Sequence, residues 1–301
     1  MRILITGATG LIGSELISLL LKNNISVHYL TTSKEKVTDQ PNCIGFYWNP
    51  EQGNIDENCF IGVDAIIHLA GATIAKKWTH KQKQEIIESR LLSSNTLFKA
   101  LKENPHQVRQ IVSASAVGIY PDSPSDIYTE NSPCIDHGFL GNVVVKWEES
   151  VNKFQILNIK VCKLRTGIVF AKNGGALPEM VKPIQLGLGA AFGNGKQTQS
   201  WIHIQDLVNM YLFAVRNSWE GIYNAVSPEP ISNEELTKEI ATILEKPLLL
   251  PNIPKFIMKL LLGEMHLLLF TDKNVVPKKA IDNGFTFKYP NPRQALQNIL
   301  A

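Results

Sequence analysis

Apolar residues along this 301-residue chain fall into short β-branched runs, separated by longer stretches with helical spacing. The runs predict strands near Arg2–Thr6, Val27–Leu30, Ala65–Leu69, Gln110–Ser113 and Lys160–Thr166. The periodic stretches predict helices over Leu11–Lys22, His80–Lys102, Gly138–Phe154 and Gln205–Asn217. Strands that alternate with helices and are apolar on both faces imply a parallel sheet covered on both sides, a doubly wound α/β fold. After about residue 228 the pattern changes. Ser232-Asn-Glu-Glu235 is a capping-box start for a helix through Leu244. A stretch bearing Pro247, Pro251 and Pro254 follows, then a helical pair within Lys255–Phe270 that reads as buried or partner-facing. A short aromatic strand, Phe285–Tyr289, and a last helix close the chain.

The first strand runs straight into Gly7-Ala-Thr-Gly10-Leu-Ile-Gly13 and then into an amphipathic helix carrying Leu16, Ile17, Leu20 and Leu21. That order suits a dinucleotide pyrophosphate. One glycine allows the tight turn, the next lets the backbone approach the phosphates, and the third lets helix and strand pack closely. The helix N-terminus meanwhile aims free N–H groups at the anion. The bare alternative is a tight β–α turn without a ligand; the strand before and the helix after favour the binding reading. The expected division is therefore a parallel Rossmann sheet over residues 1–228, with a cleft-covering segment at about 172–200, and a small C-terminal α+β cap over 229–301. The cap belongs beside the carboxyl edge of the sheet, where open α/β sheets place ligands.

The second strand ends Thr31-Thr32-Ser33-Lys34, with none of the carboxylates that NAD enzymes place there for the adenosine ribose. Three hydroxyls and a lysine suit a 2′-phosphate, so NADP(H) is expected over NAD(H), although the same residues also read as a plain turn.

Composition narrows the class. Hydrophobic residues make up 44% and charged residues 19%, with net charge +3, as in an ordinary globular protein. Basic and aromatic residues interleave only at Lys76–Lys83, which reads as a solvated helix start or a phosphate patch, so no nucleic-acid partner is expected. Cys43, Cys59, Cys134 and Cys162 are scattered, with no metal-ligand spacing. Neither a metal site nor a disulfide framework is expected, and a cytoplasmic location is. Gly7, Gly10, Gly13 and Glu15 break any signal-peptide core. Lys255–Phe270 is interrupted by Lys259, Gly263, Glu264 and His266 and falls short of the roughly 20 apolar residues that span a bilayer, so no membrane partner is expected. The run Gly187 to Lys196 mimics a phosphate loop, but Ala190 and Gln197 stand where glycine and a hydroxyl belong. It reads instead as a flexible segment over the substrate cleft.

The TGxxGxxG spacing resembles extended and atypical short-chain dehydrogenase/reductases. Further segments carry the likeness: Asp64–Gly71 as the fourth strand, Ile111–Ala116 as the fifth, Leu164–Gly167 as the sixth and its turn, and Trp201–Leu207 beyond them. SASAVGIY at Ser113, LRTG at Leu164, SWIHI at Ser200, LLLGEM at Leu261 and PKKA at Pro277 resemble a bacterial "epimerase family" subgroup over essentially the whole chain. The resemblance implies cofactor contacts from Gly7, Thr9, Gly10, Leu11, Ile12, Gly13, Thr31, Thr32, Ser33, Leu69, Ala70, Gly71, Arg90 and Ser113. It also implies a small polar substrate of the nucleotide-sugar kind, and a catalytic serine at Ser115.

The family's Tyr-x-x-x-Lys pair, its general acid/base and activating cation, has no counterpart. Asn142 and Lys146 fit by spacing alone. Glu148 as the family's glutamate places the pair at Leu140 and Val144 instead, and Arg90 replaces the usual asparagine. Tyr120, or Asp136 with His137, are the candidate substitute acids, while Arg90 and Arg165 suit an anionic substrate. Ser115, Tyr120 and His137 each also have a structural reading, as groups satisfied by backbone or surface. Two readings stay open: an NADP(H)-dependent oxidoreductase or epimerase-like enzyme, and a non-catalytic module that senses NADP(H).

Overall fold

Seven strands with buried, apolar cores form one parallel sheet in the computed structural model, which describes residues 1–301. They are β1 (Arg2–Thr6), β2 (Ser26–Thr31), β3 (Cys43–Asn49), β4 (Ala65–His68), β5 (Gln110–Ala116), β6 (Lys160–Thr166) and β7 (Gly221–Ala225). Their order is β7-β6-β5-β4-β1-β2-β3, with short antiparallel additions at Asp39–Gln40 and Asn54–Ile55. The chain leaves β1 on one side to form β2 and returns on the other as β4. The carboxyl ends of β1 and β4 therefore flank the crevice where the strand order reverses.

Alternation along each strand divides the core. Ile3 and Ile5 of β1 face helices α1 (Leu11–Lys22) and α5 (Ile204–Arg216), packing with Leu16, Leu20, Leu207 and Met210. Leu4 faces the opposite layer, formed by α2 (His80–Glu103) and α3 (Phe139–Asn152), together with Leu97, Leu101, Trp147 and Val151. Only a two-residue period puts neighbours on opposite faces in this way.

A third core joins the C-terminal region to the segment after β6. Phe170 stacks on Trp201 at 4.8 Å. Around this pair pack Leu177 and Ile184 of helix Leu177–Gln185, Leu236 and Ile240 of helix Asn233–Ile243, and Leu296 of helix Pro292–Leu300. The capping box is present, with the Ser232 hydroxyl accepting the Glu235 N–H.

The structure differs from the expected elements at five places. β3 and β7 were not anticipated. Phe285–Tyr289 forms no strand, because the N–H groups of Lys288 and Tyr289 donate to the buried Asp206 carboxylate at 2.8 and 2.9 Å rather than to a neighbouring strand. Helix Lys255–Leu262 buries none of its residues, leaving Phe256 72% and Leu260 83% exposed, so of the two readings of this segment only the buried one is excluded for this helix. The Gly187–Lys196 run is pinned: Gly193 N–H donates to Ile253 carbonyl, Ile253 N–H to Ala191 carbonyl, and Phe192 N–H to Asn233 Oδ1. No helix is long and apolar enough to cross a membrane.

Candidate cofactor cleft and the sealed cluster beside it

β1 ends in Thr6, whose hydroxyl oxygen accepts the N–H groups of Leu69 and Ala70, both at 3.1 Å. With both lone pairs used, its one hydrogen is left for His68 Nδ1 at 2.8 Å, so His68 is the neutral Nε2–H tautomer facing Ser94 Oγ at 3.2 Å. Complete burial lowers the His68 pKa to about 4. This knot locks the end of β4 against the end of β1. Gly7 turns with φ +69°, and a side chain there would strike the Leu69 carbonyl carbon at 2.9 Å. At Gly13 a Cβ would overlap the Gly7 carbonyl oxygen and come within 2.6 Å of Ala8 Cα, so helix, turn and strand meet only because no side chain intervenes.

α1 starts at Gly10 with no side chain capping it and no acidic residue in its first turn. Its free N–H groups and positive dipole end are thus available to an anion. Beside it opens a cavity of about 1020 Å³ lined by Gly7, Thr9, Thr31, Thr32, Ala70 and Gly71 of the expected cofactor residues. β3 and α2 supply walls that sequence reasoning missed, among them Tyr47, Asn49, Lys81, Glu88, Ser89 and Ser93. Lys34 Nζ lies 5.2 Å from the centre of the Tyr47 ring, at the same edge as Thr32. Ser33 donates its N–H to Thr31 Oγ1 at 3.2 Å. Leu11, Ile12 and Leu69 pack against the core behind the turn. Ser113 is fully buried in β5, with its hydroxyl on the Ala114 carbonyl, outside the cavity wall.

The ends of β5 and β6 are built differently. Ser115 is 3% exposed and donates to Glu148 Oε1 at 2.6 Å. Arg165 grips the same carboxylate through Nε at 2.8 Å and Nη2 at 3.0 Å, and Lys163 stands 3.8 Å away. Burial drives the Glu148 pKa up, but the Arg165 bonds and charge, with Ser115 and Lys163, outweigh it and hold the carboxyl below its usual range. Tyr120 is completely buried. Its hydroxyl donates to Asn224 Oδ1 at 2.8 Å and accepts from Arg165 Nη1 at 3.0 Å, and burial raises its pKa. Lys273 reaches in from the C-terminal region to the carbonyls of Gly118 and Tyr120. This cluster closes on itself, and neither Ser115 nor Tyr120 lines the cavity.

On α3, Val144 packs among Ile119, Tyr120 and Tyr128. Leu140 packs against the buried cluster of Trp78, Ile86 and Val143. A Cβ on Gly118 would touch both, at 3.4 Å and 3.8 Å. Asn142 and Lys146 are exposed. His137 is exposed, and Asp136 accepts the Gly141 N–H within the loop entering α3.

A doubly wound sheet whose glycine turn opens on a cavity at the strand reversal is a nucleotide-binding α/β architecture, and residues 3–225 match the NAD dependent epimerase/dehydratase family. The chain belongs to that family, and residues 253–299 match a domain of unknown function, DUF1731. It is 34% identical over 302 residues to the Staphylococcus epidermidis epimerase family protein SERP0438, covering 99% of each chain. Its fold resembles that of the human epimerase family protein SDR39U1, solved with NADPH, at TM-score 0.86 and 27% identity over 99% of both chains. It also resembles a nucleoside-diphosphate sugar epimerase from Corynebacterium glutamicum, at TM-score 0.80 and 28% identity, over 100% of this chain and 58% of that one.

Proposed function

We propose that this chain binds NADP(H) in the cavity between the β1 turn and α2 and acts as an oxidoreductase or epimerase-like enzyme without a Tyr-x-x-x-Lys pair. The observation that carries this reading is the uncapped start of α1 directly after a turn whose Gly7 and Thr9 line a cavity of about 1020 Å³. Thr31, Thr32, Ser33 and Lys34 are the groups for a 2′-phosphate, and NADPH in the human relative supports that choice. The nicotinamide gives or takes hydride when bound. Leu140 and Val144, on the α3 face against Gly118, transfer no protons, so the usual acid/base gain of about 10²–10⁴ in rate is absent at those positions. The substrate class follows the relative named a nucleoside-diphosphate sugar epimerase: a small polar molecule, with residues 229–301 and the segment 172–200 forming its cap.

One observation favours a second reading. Ser115 and Tyr120, the two hydroxyls of the expected catalytic set, are committed to Glu148 and Asn224. A protein that senses the NADP(H) pool needs no free acid. Stereospecifically deuterated NADPH, incubated with carbonyl compounds and nucleotide sugars, separates the two. Deuterium appearing in a product supports the enzyme. No transfer, with NADPH and NADP⁺ binding at different affinities, supports the sensor; no transfer with equal affinities contradicts both.

A further inference from the structure

Helix Lys255–Leu262 turns its apolar side away from the chain that carries it. Residues four apart share a helix face, which sorts these eight into four pairs. Met258 and Leu262 are half-buried and face the body of the chain. Phe256 with Leu260, and Ile257 with Leu261, lie on the other side, and all four are exposed. Lys255 and Lys259 run along one flank between these faces. The apolar surface continues beyond the helix. Leu249 is 78% exposed in the loop before it. The exposed Leu188 is its neighbour, because a Cβ on the adjoining Gly189 would meet Leu248 Cδ2 at 2.8 Å. A monomer seldom exposes so many large apolar side chains together.

Charge on this ridge has one sign. Glu264 is the only acidic residue between Lys246 and Thr271, and Lys83 holds it at 2.5 Å. Lys77 reaches the C-terminal end of the helix, its Cε 3.5 Å from the place of a Gly263 Cβ. Lys77, Lys255 and Lys259 are exposed, and no carboxylate lies within 4.0 Å of any of them.

We propose that this ridge docks the chain on an anionic lipid surface. Phe256, Ile257, Leu260 and Leu261 enter the headgroup boundary, and Lys77, Lys255 and Lys259 meet lipid phosphates. A helix lying in a membrane interface carries an apolar face beside lysines, whose long stems cover apolar surface while the ammonium stays at the phosphates. A second copy of this face offers those lysines no free acid. Protein interfaces are poor in lysine and make about one hydrogen bond per 100–200 Å², whereas the outward side chains here are hydrocarbon with no polar group. Lying on a bilayer needs no span, so a segment too short to cross one can still dock. The inference does not depend on what fills the cofactor cavity.

Co-sedimentation of the whole chain with lipid vesicles tests it. Vesicles of equal parts phosphatidylcholine and phosphatidylglycerol should carry the wild type down, and phosphatidylcholine alone should bind it roughly tenfold more weakly or less still. Lys255→Gln with Lys259→Gln should lower the partition coefficient roughly fivefold for each charge removed, and added salt should weaken binding by screening. Phe256→Ser with Leu260→Ser should lower it roughly tenfold or more, with the thermal midpoint by circular dichroism unchanged. No binding to the anionic vesicles, or equal binding to both compositions, overturns the proposal. In the first case, a wild-type dimer that the serine pair dissociates in sedimentation velocity assigns the ridge to a second copy instead. If the serine variant does not fold, the lysine pair decides: wild-type binding by Lys255→Gln with Lys259→Gln overturns the proposal.

Discussion

The two halves of the sheet's carboxyl edge are built on opposite plans. At β1, β2 and β4 the chain leaves polar groups uncommitted: an uncapped helix start, backbone exposed at a glycine turn, and a cavity of about 1020 Å³. At β5 and β6 every comparable group is committed, with Ser115, Glu148, Arg165, Tyr120 and Asn224 bonded to one another out of solvent. Side chains that satisfy each other in this way lend stability and order to a core. Backbone donors left open lend binding. The contrast is what the proposed cofactor site at β1–β4 rests on, while the β5–β6 cluster ties Ser115 and Tyr120 to Glu148, Arg165 and Asn224.

Substitutions in each half should separate stability from affinity. The largest stability loss is expected at Glu148→Ala, which strands Arg165 as a buried charge. Removing one partner of such a pair costs about 3–5 kcal/mol, read as a lower urea midpoint, while NADPH affinity of the folded fraction stays unchanged. A loss of affinity as large as the loss of stability breaks the contrast.

Acid should loosen the open half through His68. Its pKa is about 4 in the folded chain, against 6.5 when unfolded. The unfolded state therefore binds the extra proton first, so this contribution is complete above pH 6.5 and fades as pH falls towards 4. At about 1.4 kcal/mol per pKa unit the ceiling is about 3 kcal/mol. His68→Gln should flatten the stability profile across that window; an unaltered slope removes the Thr6–His68 knot from the account.

Gly13→Ala should cost about 1–3 kcal/mol by overpacking against Gly7 and Ala8. Unlike Glu148→Ala, it should also abolish NADPH binding in protein that circular dichroism shows to be folded. The smallest effect is expected at Tyr120→Phe, about 1 kcal/mol for the lost hydrogen bonds, with no change in affinity.

The open half was largely legible in the sequence and the sealed half was not, for a physical reason. Gly7, Gly13 and the residues after β2 act through local backbone geometry, so neighbours in sequence reveal them. Ser115, Tyr120, Glu148, Arg165 and Asn224 meet through bonds that span 17 to 104 residues, and no local pattern marks them. Glu148 served only as a register marker, and nothing in its segment announced Arg165 as its partner. β3 escaped notice because Gly45 and the three successive aromatic residues Phe46, Tyr47 and Trp48 blur its alternation. The supposed strand at Phe285–Tyr289 has the right residues, yet Asp206, some 80 positions upstream, captures its N–H groups.

Calorimetric titration of the purified chain with NADPH and then NADH tests the central claim most directly. Contacts from Thr31–Lys34 to a 2′-phosphate predict that both bind and that NADPH binds roughly ten- to a hundredfold more tightly. If neither binds, the glycine turn is only a packing device, and the assignment of ligand recognition to the β1–β4 half is wrong.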